Sequence, residues 1–141
     1  MKYHFKLHKE ETGYWAECCE LEGCMTEGDS LEKVIAACEE ALSVYLYEPE
    51  EPGRVLPLPE SAYDSQRDVI KIKVEPETAF AILLRNFRLE SNMTQKQAAK
   101  RLGMRNIYSY QRLEKNSNPT LHIISKIHTV FPEVKLHYLF Q

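Results

Sequence analysis

The sequence contains no uninterrupted apolar run of the roughly 20 residues that a transmembrane helix requires. Its first six residues, Met-Lys-Tyr-His-Phe-Lys, also lack the apolar core of a signal peptide. We therefore expect a soluble, cytoplasmic protein with no membrane partner. Hydrophobic residues make up 43% and charged residues 28% of the chain, which is typical of globular and not of disordered proteins.

Patterns typical of metal sites and of common enzyme active sites are missing as well. No Cys-x-x-Cys pair and no histidine cluster at zinc-ligand spacing accompanies the four cysteines, which are Cys18, Cys19, Cys24 and Cys38. There is no Gly-rich phosphate loop and no arguable Ser/His/Asp or Cys/His arrangement. The sequence therefore predicts reduced thiols in or near a core, no metal, no cofactor and no catalytic residues.

Charge is distributed unevenly along the chain, although its net value is only −3. Residues 1–75 carry 8 Lys+Arg against 17 Asp+Glu, a balance of −9, whereas residues 76–141 carry 10 against 4, a balance of +6. This asymmetry indicates two domains, 1–75 and 76–141, with different partners. A basic half suits a polyanion and an acidic half suits a basic protein, although surface charge also serves solubility.

The first half predicts a small antiparallel sheet and one helix. Apolar and polar residues alternate over 3–8, 14–19 and 69–74, and a short further strand is expected near 23–27. The short connections between the early strands favour antiparallel pairing. Residues 31–46 carry one apolar stripe at helical spacing, and Asp29 with Glu32 has the form of a capping box. Residues 48–61 contain four prolines and predict an extended crossing loop. The order is therefore β-β-β-α-β.

The second half predicts helices, which makes the fold class α+β. Pro76 suits the first position of a helix, and residues 80–87 form its core stripe. At the C-terminus, Val134, Leu136, Tyr138 and Phe140 alternate with polar residues. This period predicts a terminal strand that pairs with its copy, and so a homodimer or higher homo-oligomer.

Residues 93–104 (Met-Thr-Gln-Lys-Gln-Ala-Ala-Lys-Arg-Leu-Gly-Met) are the most informative segment. Thr94 and Gln97 form a capping box, small residues allow two helices to cross closely, and Gly103 suits a turn with positive φ. A second short helix is expected over about 106–113, and Asn118-Pro119 begins a further one. This layout is typical of a helix-turn-helix, and residues 78–131 resemble the Cro/phage-repressor type. One departure is an extra residue between Gly103 and Glu114, compensated before Pro119.

The helix-turn-helix reading implies operator DNA as a partner. We expect the start of the first short helix to hold phosphates, since backbone amides and a helix dipole favour anions there. Backbone contacts are expected from some cations and base contacts from the outward face of the second helix, where Asn suits adenine and Arg suits guanine. The predicted DNA-binding residues are Thr94, Gln95, Lys96, Arg105, Asn106, Tyr108, Ser109, Arg112 and Lys115. A helical bundle that uses the motif only for packing is the alternative.

Residues 2–47 resemble the HicB antitoxin domain. The similarity rests on Tyr14-Trp15, on residues 21–24 (Leu-Glu-Gly-Cys), on residues 28–32 (Gly-Asp-Ser-Leu-Glu) and on residues 40–42 (Glu-Ala-Leu), and the 56–61 segment also fits. The resemblance implies a partial ribonuclease-H-like fold that binds and neutralises HicA, a small basic mRNA-cleaving toxin. It also implies that the basic half represses the protein's own operon.

For the toxin contact we single out Trp15 and Glu17, on one face of the second strand. The alternative for Trp15 is the domain core. Ribonuclease-H chemistry needs carboxylates on the strands, whereas the first strand offers Lys, His4 and His8, which are expected at its surface. Two other functions stay open. One is a stand-alone repressor with a ligand-sensing N-terminal domain, and the other is a nuclease.

Overall fold

A computed structural model describes residues 1–47, 49, 51–115 and 117–141 of the chain. It divides into two compact units, one formed by Met1–Glu50 and Leu56–Val74 and the other by Glu51–Val55 and Glu75–Gln141. Part of the predicted crossing loop, Glu48 and Glu50, lies outside the described residues. Over 51–60 the described chain holds no helix or strand, and a single 3₁₀ turn follows at Ser61–Tyr63.

The first unit is a four-stranded antiparallel sheet with one helix, as predicted. Its strands are β1 (Lys2–Glu10), β2 (Gly13–Cys18), β3 (Met25–Gly28) and β4 (Val69–Lys73), in the spatial order β3-β2-β1-β4. The helix α1 (Leu31–Tyr47) packs against β3, β2 and β4. The third strand begins two residues later than predicted because Gly23, at φ +82°, turns the chain before it.

The core of this unit lies between α1 and one face of the sheet. Tyr3 and Phe5 on β1 and Ile72 on β4 point to this face and are buried. The inner stripe of α1 and three of the four thiols complete the core, namely Val34, Cys38, Leu42, Leu46, Cys18 and Cys24. The other face of the sheet carries the intervening polar residues, and we call it the open face.

The predicted cap of α1 is wrong by one residue. The hydroxyl of Ser30, and not the Asp29 carboxylate, accepts the first-turn N–H of Lys33 at 3.2 Å. Just before it, Gly28 lies against the start of the helix, where a Cβ would come within 2.5 Å of the Val34 nitrogen. The helix can therefore lie on β3 only because this position has no side chain.

Among its described residues the second unit contains four α-helices, α2 (Pro76–Glu90), α3 (Gln95–Arg101), α4 (Ile107–Leu113) and α5 (Leu121–Val130). Pro76 occupies the first turn of α2, as predicted. The core of the unit contains one side chain or more from every helix, including Phe80, Leu84, Ala98, Leu102, Tyr110, Ile127 and Phe131. No helix among the described residues has both the length and the apolarity to cross a bilayer.

The predicted C-terminal strand is wrong. Residues 136–140 form a 3₁₀ helix, Leu136–Phe140, which packs against α2. Val134 is buried, whereas Phe140 is 88% exposed. In the 3₁₀ helix, half-buried Leu136 and Leu139 are three residues apart and share one side, unlike the residues at every second position that suggested a strand. Local hydrogen bonds, such as the Val134 N–H to the Phe131 carbonyl at 3.1 Å, replace those of a strand ladder.

Candidate nucleic-acid interface and the open face of the sheet

Local interactions define both ends of α3, the first helix of the α3–α4 pair. Thr94 accepts the Gln97 N–H at 3.1 Å, and the Gln97 side chain accepts the Thr94 N–H at 2.8 Å, which confirms the predicted capping box. At the other end of α3, Gly103 has φ +68°, and its N–H bonds to the Lys100 carbonyl at 3.0 Å. This left-handed residue ends α3 and sends the chain into α4.

One buried carboxylate joins three of the helices. Glu114 is 8% exposed and accepts hydrogen bonds from Arg88 Nε at 2.5 Å and Nη2 at 3.1 Å, from Tyr110 Oη at 2.7 Å and from Gln95 Nε2 at 2.9 Å. Burial and the Glu114 charge raise the pKa of Tyr110, so the phenol stays a donor. Burial alone would lower the pKa of Arg88, but its bonds to Glu114 raise it. We call Glu114 with these three partners the Glu114 network.

Sequence reasoning missed this network, because its members come from separate helices. Residues 88, 95, 110 and 114 have no shared periodicity that marks them as a group. Gln111 was missed for the same reason. Its Nε2 donates to Gln95 Oε1 at 3.1 Å, so the Gln95 amide is held from both sides.

The cationic residues predicted to contact DNA lie in solvent. Lys96, Arg105, Arg112 and Lys115 are exposed, and Tyr108 is 70% exposed. A spacing of four residues places Tyr108 and Arg112 on one side of α4, and Lys115 lies beyond the end of the helix at Leu113. The outward surface of α3 and α4 is therefore basic and carries an accessible aromatic ring.

Four predicted DNA-binding residues, including Gln95 of the Glu114 network, also have roles inside the fold. Thr94 caps α3, and Asn106 caps α4 by accepting the Ser109 N–H at 3.0 Å and the Ser109 hydroxyl at 3.2 Å. Since the Asn106 oxygen already accepts two bonds, its remaining capacity is its amide N–H donors. A two-bond contact to adenine, which needs that oxygen, is therefore disfavoured, and a single donor contact stays available.

On the open face of the first unit, Trp15 and Glu17 are joined by His8. The indole stacks on the His8 ring with centroids 3.9 Å apart and an interplanar angle of 12°. His8 Nε2 lies 3.0 Å from Glu17 Oε1. Trp15 is half-buried on the face away from the core, so it is accessible on one side only. We call these three residues the Trp15 cluster.

The expected surface position of His4 is wrong. The residue is 3% exposed, with Nδ1 2.6 Å from Glu20 Oε1 and Nε2 2.9 Å from Asp64 Oδ1. Asp64 also binds Lys71 Nζ at 2.6 Å. Burial alone would lower the pKa of His4, but the hydrogen bonds to the two carboxylates raise it. The chain after Pro59 thus covers this part of the open face, which alternation within β1 cannot reveal.

A cavity of about 520 Å³ opens at the end of the β1–β2 hairpin. Charged and polar residues or glycines form most of its lining, which consists of Glu10, Thr12, Gly13, Tyr14, Glu27, Gly28, Asp29 and Lys33. Pockets for small molecules are mostly apolar, so this lining is not typical of one. Within the described residues, no three or more His, Cys, Asp or Glu side chains are arranged to hold a metal ion.

Comparison with known proteins agrees with both predicted resemblances. Residues 84–139 match the helix-turn-helix family model, which covers α3, α4, α5 and most of the C-terminal 3₁₀ helix. The chain is also similar to the antitoxin HicB of Pseudomonas fluorescens (strain Pf0-1), with 29% identity over 107 residues. That alignment spans 73% of this chain and 69% of the relative. The resemblance to a HicB-type antitoxin with a helix-turn-helix is therefore confirmed.

Proposed function

We propose that this chain is an antitoxin that binds and neutralises a HicA-type mRNA-cleaving toxin through its first unit and represses its own operon through its second. The observation that carries the proposal is the combination of the two similarities in one chain. A helix-turn-helix supports DNA binding, and the similarity to an antitoxin over 73% of the chain supports a toxin partner. We further propose a cytoplasmic location, no catalytic activity and no cofactor.

The second unit has the chemistry that DNA recognition needs. Residues 76–141 carry a balance of +6, and the exposed cations of α3 and α4 suit phosphate contacts. The Glu114 network fixes the angle between these helices from inside, which leaves the outward side chains of α4 free for a DNA groove. A palindromic operator requires two such surfaces, so we propose a homodimer or higher homo-oligomer.

The first unit suits a basic protein partner. Residues 1–75, which include this unit, are acidic, with a net charge of −9 from Lys, Arg, Asp and Glu. The Trp15 cluster presents an aromatic ring beside a carboxylate on the open face, a combination that supports binding of Arg or Lys from a partner. A Lys or Arg of the toxin would compete with His8 for the Glu17 carboxylate. Binding would therefore replace the His8–Glu17 contact with a contact between Glu17 and the toxin.

A stand-alone repressor with a ligand-sensing first unit is the competing function. The cavity beside the β1–β2 hairpin is the place where such a ligand would bind, but its polar lining does not favour an apolar effector. A neighbouring reading frame for a very small basic protein would support the antitoxin, and its absence would favour the sensor.

The DNA-binding role is tested by measuring affinity for the promoter region of the protein's own gene and for random DNA. Arg112→Ala should cost about 1–3 kcal/mol on the promoter and relax the preference at one base pair. Lys96→Ala should weaken both DNAs alike and lower the salt slope by about 0.9. Lys135→Ala, which removes an exposed cation that lies after α5 and outside the α3–α4 surface, is the control. Equal losses for Arg112→Ala on both DNAs would refute its role in base recognition.

The toxin-binding role is tested with the purified neighbouring toxin. Trp15→Ala and Glu17→Lys should each weaken binding and restore mRNA cleavage by the toxin, because they remove the ring and reverse the charge of the Trp15 cluster. Tyr47→Ala and Glu39→Lys, at exposed positions of α1, are matched controls. Unchanged binding by both Trp15 cluster variants would remove this surface from the proposal.

A further inference from the structure

Four lysines form a cationic surface on the open face of the acidic first unit. Lys2 and Lys6 lie on β1, Lys71 and Lys73 lie on β4, and all four are exposed. The β1–β4 register places Lys2 directly opposite Lys73, and His4 opposite Lys71. Opposite residues of an antiparallel pair point to the same face. We call Lys2, Lys6, Lys71 and Lys73 the lysine row.

The end of the lysine row that Lys2 and Lys73 form is electrostatically unfavourable in the isolated chain. Like charges directly opposite each other destabilise an antiparallel pair, and Lys2 with Lys73 is such a pair. Only Lys71 is neutralised, by Asp64 at 2.6 Å. Lys2, Lys6 and Lys73 form no ion pair with any residue that the structure describes. An external anion would relieve this repulsion.

Protection of the sheet edge does not account for the row. Lysines on an edge strand discourage pairing with other chains, and this explains Lys71 and Lys73 on β4. Lys2 and Lys6, however, lie on β1, which is paired on both sides. Along β1 the row ends at Lys6, which lies directly opposite Glu17 of the Trp15 cluster on β2, so Lys2 and Lys73 form the end of the row that is farthest from that carboxylate.

We propose that the lysine row binds the phosphodiester backbone of a nucleic acid strand. Residues of one strand that share a face repeat about every 7 Å, and neighbouring strands lie about 4.8 Å apart. Lys71 lies one repeat and Lys6 two repeats from the Lys2–Lys73 pair, so the backbone positions of the row extend along a line of about 14 Å. Such a line matches a polymer with one charge per nucleotide. The row contains no arginine, whose planar fork favours two-bond recognition of a single carboxylate or phosphate. Lysine supplies point charges, which suit contact with a backbone irrespective of sequence.

The test uses the full chain with Lys96→Ala and Arg112→Ala, which suppress the contribution of the α3–α4 surface. Fluorescence anisotropy measures binding of labelled 12-nucleotide single-stranded RNA and DNA of mixed sequence, and of a 12-residue polyglutamate peptide, at several salt concentrations. Lys2→Gln with Lys6→Gln should weaken nucleic acid binding about tenfold and lower the salt slope by about 1.4, since each lost phosphate contact contributes about 0.7. Comparison of the RNA and DNA arms identifies the backbone that is preferred.

Two matched variants complete the design. Lys9→Gln with Lys33→Gln changes the net charge of the same unit equally outside the row, and it should bind as the parent does. Lys2→Arg with Lys6→Arg keeps the charges and should retain binding. The proposal is overturned if the Gln variant of the row binds like its parent, if the control loses as much affinity, or if polyglutamate binds more tightly than both nucleic acids. Because the α3–α4 surface is already suppressed, failure here leaves operator binding by the second unit unaffected.

Discussion

At the residue scale, the Glu114 carboxylate is the most demanding position in the second unit. It is almost completely buried, and its charge is balanced by the Arg88 guanidinium within one hydrogen-bonded group. Breaking a buried ion pair by removing one partner leaves an uncompensated charge, which costs far more than the pair contributes as a whole.

We therefore predict that Arg88→Met lowers the free energy of unfolding by about 3–5 kcal/mol in urea titrations. Tyr110→Phe, which removes one donor to the same carboxylate, should cost about 1.5–3 kcal/mol. Lys100→Met, at an exposed position of α3, is the control and should change stability by less than about 0.5 kcal/mol. An Arg88→Met protein as stable as the parent would show that Glu114 finds another partner.

The raised pKa of His4 predicts that the free energy of unfolding of the first unit depends on pH. The His4 pKa is raised in the folded state, so the stability that His4 contributes is complete below its ordinary pKa of 6.5 and is lost as the pH rises through the folded value. Lys71 and His4 lower the pKa of Asp64, so the contribution of Asp64 is present above its ordinary pKa of 3.8 and is lost as the pH falls through the lowered value.

Stability of the first unit should therefore be greatest in mildly acidic solution, between these two ordinary values. Urea unfolding followed by Trp15 fluorescence across pH 4–9 measures it, and His4→Asn should remove the decline above neutral pH. His122→Asn, at an exposed position of α5, should keep the decline. Identical profiles for the parent and His4→Asn would contradict the prediction.

The same residues show how far sequence reasoning reaches. Thr94 and Gln97 are three residues apart, so their capping box could be predicted from local pattern alone. His4 could not be placed, because its two partners lie 16 and 60 residues away along the chain. Asn106 was assigned to the correct helix end, but its role as the cap limits the base contact that was expected of it.

At the element scale, the short helix α3 depends on its cap. Thr94→Ala removes the oxygen that accepts the Gln97 N–H and should lower the free energy of unfolding by about 0.5–2 kcal/mol. Thr129→Ala is the matched control, since its hydroxyl donates only to the Ser125 carbonyl within α5. Because α3 positions Gln95 and Lys96, we also expect weaker binding to all DNA sequences, measured by anisotropy. Equal stability of the two variants would contradict the capping role.

The C-terminal segment leads to a prediction that differs from the strand expected from sequence. Truncation after Pro132 removes buried Val134 and the 3₁₀ helix that packs on α2, so unit stability should fall by about 2–3 kcal/mol. Truncation after Leu139 removes exposed Phe140 and should have a much smaller effect. Thermal unfolding measures both. Four apolar residues at alternate positions predicted a strand. A strand also needs a neighbouring strand with which to form hydrogen bonds, and the sequence does not reveal whether one is present.

At the scale of the whole molecule, net charges of opposite sign lie in the two halves of the chain, −9 over residues 1–75 and +6 over residues 76–141. The strand and helix order, the division in charge and the helix-turn-helix were all visible in sequence, because periodicity and composition extend over many residues. The partners that each unit selects depend on outward side chains, which no periodicity identifies.

If the units act on different partners, their variants should be separable. Arg112→Ala should lose promoter affinity and retain toxin neutralisation, whereas Trp15→Ala should do the reverse. Promoter binding is measured by anisotropy and neutralisation by residual mRNA cleavage, with each variant assayed in both. A variant of either position that abolished both functions would show that one surface serves both partners.

The inward anchoring of α4 has an evolutionary consequence. Its attachment to the rest of the second unit runs through Tyr110, Leu113 and Glu114, while Tyr108 and Arg112 project into solvent. If the projecting pair contacts DNA as proposed, its exchange alters the DNA sequence that is recognised and leaves the fold undisturbed. Duplicated copies of such a gene can thus diverge toward separate promoters through a few surface substitutions, and related systems within one genome can stay insulated from each other.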